Sequence, residues 1–167
     1  VDPNSRITVS TYTATGAGIL RNEAAYVYKD YGADYFSGDF ECNFECRHDS
    51  STSAGWLLVW GISNVIGHAA GSNWIDAISA YVYDNTGTIE LRLQEKDATV
   101  SYNASQAINT GQIYYCTIRR DESVGTYGTI YLDIYTDPSR TTLVAAPLSL
   151  ALNTSKKDYQ YHYALAS

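Results

Sequence analysis

The chain has 167 residues and a formal net charge of −7, with 18 acidic side chains against 11 Lys and Arg. That length fits one domain with a core of its own, and scattered cations in an acidic chain exclude a phosphate-backbone partner, which needs a basic patch to release counterions. The longest apolar runs are only a few residues, too short for a membrane-spanning helix, and no charged-then-apolar leader opens the chain, so neither nucleic acid nor membrane is an expected partner.

Aromatic residues make up 13 % of the chain, and 16 of them are tyrosine. Tyrosine is a stiff, amphipathic contact residue that suits half-exposed sheets and recognition faces. Methionine is absent, so the chain reads as a processed product or an excised segment. Residues 1–167 are expected to form a single β-sandwich domain, with residues 1–6, VDPNSR, as a linker remnant.

Apolar residues alternate with period two, and no segment keeps a 3.6-residue period for three turns, which predicts an all-β chain. Phe40, Cys42, Phe44 and Cys46 alternate with Glu41, Asn43, Glu45 and Arg47. Next, GWLLVWG places Trp56 and Trp60 on one strand face, and residues 61–74, rich in Gly, Ser and Asn, read as a long loop of the kind that carries binding at sandwich edges. Ile78, Ala80 and Val82, the turn DNTG, then Ile89, Leu91 and Leu93 predict a hairpin; its other face carries Tyr81, Tyr83, Glu90 and Arg92. Tyr114, Cys116 and Ile118 form a further strand, followed by the polar turn region RRDESVGTYG. Ile130, Leu132 and Ile134 then alternate with Tyr131, Asp133 and Tyr135. After the turn TDPSR come TTLVAAPLSLAL and a closing strand, DYQYHYALAS, with Tyr159, Tyr161 and Tyr163 on one face. Strands this numerous bury their apolar faces best as a two-sheet antiparallel β-sandwich.

Three cysteines lack metal-ligand spacing. Cys42 and Cys46 stand about 13 Å apart along a strand, too far for a mutual disulfide. One bridge to Cys116 and three buried free thiols both remain open readings.

The run GDFECNFECRHDSSTSAGWLLVWGISN resembles the G-x-[FY]-E, polar loop, G-x-W-x-x-x-W pattern of the concanavalin A-like lectin/glucanase (laminin-G-like) jelly-roll superfamily. YYCTIRRD and GTIYLDIYTD are similar to the strand pair those modules place near the C-terminus, so the resemblance covers residues 20 to 167. The runs YVYKDYG and RDESVGTYG and the closing tyrosine strand also resemble stretches of uncharacterised extracellular or phage-associated modules. The resemblance implies a jelly roll and raises two chemistries. Retaining glucanases of this fold carry E-x-D-x-E, with two carboxylates about 5–5.5 Å apart. Here Asn43 stands where the central Asp would be, and the later segment NWIDAISAYVYDN offers Asp76 but no glutamate. Glu41 and Glu45 are therefore expected to be ordinary strand residues, and no catalytic residue is assigned. Lectin-like sandwiches also hold a structural calcium. Asp30, Asp34, Asp39, Asp84 with Asn85, and Asp121 are the loop candidates, but none forms a D-x-D-x-D-G loop, and turn capping is the competing role. No other cofactor is expected.

Flat rings beside hydrogen-bonding groups suit a sugar, whose C–H faces pack on the π system while its hydroxyls find polar partners. On this ground Trp74, Tyr81, Tyr83, Arg92, Tyr131, Asp133 and Tyr135 are the expected carbohydrate-binding residues. The expected function is a non-catalytic, lectin-like module for a glycan or polysaccharide in an extracellular or virion-surface protein. The alternative is a structural or adhesive sandwich whose tyrosine faces bind other subunits, and a glycoside hydrolase with a degenerate site is third.

Overall fold

The computed structural model describes residues 1–20, 23–51, 54–67, 76–98, 100–153 and 157–167. Those residues are all β. They form β1 (Ile7–Val9), β2 (Ala14–Gly16), β3 (Tyr26–Asp30), β4 (Phe40–Arg47), β5 (Gly55–Ser63), β6 (Asp76–Asn85), β7 (Thr88–Asp97), β8 (Val100–Ala107), β9 (Ile113–Asp121), β10 (Thr129–Tyr135), β11 (Leu148–Ala151) and β12 (Tyr161–Ala166). A six-stranded sheet in the order β3-β12-β5-β6-β7-β8 faces a four-stranded sheet, β11-β10-β9-β4, and β1 and β2 form a small hairpin. The paired strands are antiparallel throughout.

The sandwich forms because most of its long strands, β8 excepted, carry apolar residues at alternate positions. Ile78, Ala80, Val82, Leu91 and Leu93 from one sheet meet Cys116, Ile118, Ile130 and Leu132 from the other in one core. Phe40 and Phe44 stack on Trp60 with ring centroids 6.3 and 6.2 Å apart. The turn between β6 and β7 has Thr86 and Gly87 at φ of 51° and 100°, the left-handed pair that matches hairpin twist. Asp84 caps it by accepting the Gly87 N–H at 2.8 Å.

Several local expectations change. Trp56 and Trp60 do not share a face, because the β5–β6 register slips between Leu58 and Trp60. That bulge turns Trp60 into the inter-sheet core and leaves Trp56 against Tyr81 outside it. Tyr159 likewise parts from Tyr161 and Tyr163: it bridges to Phe36 ahead of β12 and joins the core. The expected loop at 61–74 begins later, since Gly61 to Ser63 complete β5, and residues 68–74 lie outside the described residues. Of TTLVAAPLSLAL only Leu148–Ala151 is a strand. All three cysteines are free thiols. At the sheet edge the Val1 amino group donates to the Tyr26 carbonyl at 2.9 Å, and Tyr26 N–H donates to the Val1 carbonyl at 2.8 Å.

Candidate functional site

The registers sort the expected site residues onto two opposite surfaces. Tyr81 and Tyr83 of β6 stand beside Arg92 and Glu90 of β7 on the outer face of the six-stranded sheet. Tyr131, Asp133 and Tyr135 of β10 lie on the outer face of the four-stranded sheet, across the core from them. Trp74 lies outside the described residues.

The six-stranded face satisfies its own polar groups. Tyr81 is only 7 % exposed, packs edge-on against Trp56 and donates its hydroxyl hydrogen to Asn103 Oδ1 at 2.8 Å. Gln94 donates to the same oxygen at 2.9 Å. Arg92 lies 3.8 Å above the Tyr83 ring and donates through Nε to Glu90 at 2.8 Å. Further along the sheet, Tyr26, Tyr28, Tyr161 and Tyr163 pack ring on ring. The Tyr163 hydroxyl is used on both sides, donating to the Val65 carbonyl and accepting from Gly67 N–H.

The four-stranded face differs. Its cross-strand rows set Glu41 beside Arg119 beside Tyr131, then Asn43 beside Thr117 beside Asp133, then Glu45 beside Tyr115 beside Tyr135. Alternate residues of a strand stand about 6.8 Å apart, so Asp133 sits between two tyrosines, a short side chain flanked by long ones. It is 8 % exposed, and its Oδ1 is buried with no hydrogen-bond partner. Among the described residues no other carboxylate oxygen is left in that state. Asp133 Oδ2 lies 3.8 Å from Arg119 Nε, beyond hydrogen-bond reach. The Arg119 guanidinium instead lies over Tyr131, its carbon 3.9 Å from the ring centroid. Burial pushes the Asp133 carboxyl above its ordinary range; the charge of Glu41 adds to this and Arg119 opposes it. Thr117 donates to Asn43 Oδ1 at 2.6 Å and so gives Asp133 no proton. Beside this row an open depression of about 300 Å³ is lined by Asp39, Phe40, Glu41, Arg119, Arg120 and Asp121.

Glu41 and Glu45 are both exposed on β4, whose register against β9 runs without a slip. Their backbone positions are therefore about 13 Å apart, and their strand gives them no shared partner. Among the described residues no three His, Cys, Asp or Glu side chains are grouped to hold a metal. The calcium candidates have backbone work to do: Asp30 accepts from Gly32 N–H, Asp39 from Glu122 N–H and Asp121 from Ser123 N–H. The four-stranded face thus combines tyrosine rings, a guanidinium held over one of them and one carboxylate oxygen without a partner.

The sequence alone does not place Tyr115 beside Tyr135, or Glu41 beside Arg119. Both follow from the β9 register, which leaves no local mark in the sequence. The chain matches no protein-family model, no curated protein and no solved structure.

Proposed function

We propose that the protein is a non-catalytic carbohydrate-binding module that holds a glycan on the outer face of its four-stranded sheet, within an extracellular or virion-surface assembly. The observation that carries this reading is the Asp133 Oδ1 atom, buried without a partner between Tyr131 and Tyr135. An unsatisfied buried acceptor is costly unless binding compensates for it. Tyrosine rings with a carboxylate, a guanidinium and the Asn43 amide among them are the group types that recognise a pyranose: apolar faces for C–H, acceptors and donors for hydroxyls. The resemblance of GDFECNFECRHDSSTSAGWLLVWGISN to concanavalin A-like modules supports the same reading and a jelly-roll form of the sandwich.

A glycan array carrying neutral and anionic oligosaccharides tests it. The reading requires reproducible binding to one glycan class, lost in Tyr131→Ala; a folded wild-type protein that binds nothing refutes it. A second reading, a structural sandwich assembled through tyrosines, is favoured by the Tyr26, Tyr28, Tyr161 and Tyr163 ring cluster on the other sheet. It requires a stable oligomer by light scattering that Tyr28→Ala dissociates.

A further inference from the structure

Arg119 occupies the surface that a sugar would use. Its guanidinium carbon is 3.9 Å from the Tyr131 centroid, and its side chain is 35 % exposed, so it covers the ring like a removable plate. The same guanidinium has an unused acceptor within reach. Nε is 3.8 Å from Asp133 Oδ2, and the second oxygen, Oδ1, has no partner. A movement of about 1 Å closes Nε onto Oδ2 at ordinary hydrogen-bond length, and a guanidinium fork can engage both oxygens of a carboxylate.

Resting on the carbohydrate reading above, we propose that the site takes a neutral pyranose which displaces Arg119 from the Tyr131 ring, and that Asp133 receives the displaced guanidinium. In the empty site, leaving the ring would expose Tyr131 to water. A seated sugar covers the ring with its own C–H face and excludes water from the Arg119–Asp133 pair, which strengthens that pair. Arg119 is thereby a positioning residue and not the sugar's principal partner.

The surroundings restrict the ligand's charge. Asp39, Glu41, Glu45, Asp121 and Asp133 line or adjoin the site, against Arg119, Arg47 and Arg140, whose charge acts on Tyr135. Arg47 is engaged by Asp49 at 2.6 Å, and the Arg120 side chain, fully buried, donates to backbone carbonyls. A uronic, sialylated or sulfated sugar would meet five carboxylates against two cations outside any close ion pair, Arg119 and Arg140, an excess of like charge that discriminates by repulsion.

The test is a double-mutant cycle with the strongest neutral glycan of the array and, beside it, tetragalacturonate. Asp133→Asn is expected to weaken the neutral glycan about tenfold, because the displaced guanidinium then has no receiver. Arg119→Gln/Asp133→Asn is expected to return within threefold of wild type, since neither plate nor receiver remains. In wild type, the Arg119 Nε–H proton is expected to exchange with water more slowly once the glycan is added, and Asp133→Asn is expected to abolish that protection. A double variant as weak as Asp133→Asn alone would mean that Asp133 bonds the sugar directly and would overturn the exchange while leaving the carbohydrate reading intact. Tetragalacturonate binding as tightly as the neutral glycan overturns the charge restriction. Failure of every glycan to bind overturns both the exchange and the reading on which it rests.

Discussion

Asp133 and Arg119 face each other across β10 and β9 at 3.8 Å without a hydrogen bond, while Arg119 spends its cation on Tyr131. A buried carboxylate held this way costs stability in the empty protein. Its pKa is raised by burial, so the folded state takes up a proton at higher pH than the unfolded state does. The stability contribution is therefore gained on acidification through the raised value and absent at neutral pH. Asp133→Asn is expected to raise the urea midpoint at pH 7, by about 0.5–1 kcal/mol in stability, while weakening glycan binding. A destabilised variant would show that the carboxylate serves the fold.

Arg120 is the opposite case, a buried cation fully employed. Its side chain is 0 % exposed; Nε donates to the Gly38 carbonyl at 2.6 Å, Nη2 to Phe36 at 3.2 Å and Nη1 to Lys157, with Glu122 3.4 Å away. It ties the approach to β4 and the approach to β12 to the end of β9. Arg120→Met is expected to cost about 3–5 kcal/mol, because three carbonyls lose a buried, charge-assisted donor in a low-dielectric setting. Arg120→Lys is expected to recover less than half of this, since an ammonium lacks the fork. Urea unfolding at pH 7 measures both.

His162 makes stability fall in acid. Burial beside Trp60, Phe36 and Tyr31 lowers its pKa to about 4, with Lys29 adding to the effect. The unfolded chain therefore binds a proton near pH 6.5 that the folded chain refuses until about pH 4. Stability is unaffected above pH 6.5 and declines between these values, by about 3 kcal/mol in all. Glu95 and Asp133, both raised chiefly by burial, act in the opposite direction, so the informative quantity is a difference. His162→Phe is expected to unfold with a flatter pH dependence between 6.5 and 4 than wild type, and an unchanged slope would exclude His162 as the source.

The parts of the fold legible in the sequence were those with local marks. The β6–β7 hairpin has strict alternation on both sides of DNTG, and its two-residue turn needs the backbone freedom of Gly87 at φ 100°. β8 is not legible, because VSYNASQA turns Tyr102, Ala104 and Gln106 inward and shows no apolar period. Trp56 and Trp60 mislead because a one-residue slip at Val59 reverses the side-chain direction. For the site, alternation correctly brings Tyr131, Asp133 and Tyr135 to one face. It is silent on the pairing of β9 with both β4 and β10, which sets Glu41, Arg119 and Tyr131 in one row and separates them from Tyr83 and Arg92 by the whole core.

That separation gives the most direct test of the central claim. Isothermal titration of the strongest neutral array glycan should be run in parallel on wild type, Tyr131→Ala and Tyr83→Ala, each checked for native unfolding. Loss of affinity of tenfold or more in Tyr131→Ala, about 1.4 kcal/mol, with Tyr83→Ala within twofold of wild type, is the predicted result. Loss confined to Tyr83→Ala would place the glycan on the six-stranded sheet and contradict the account.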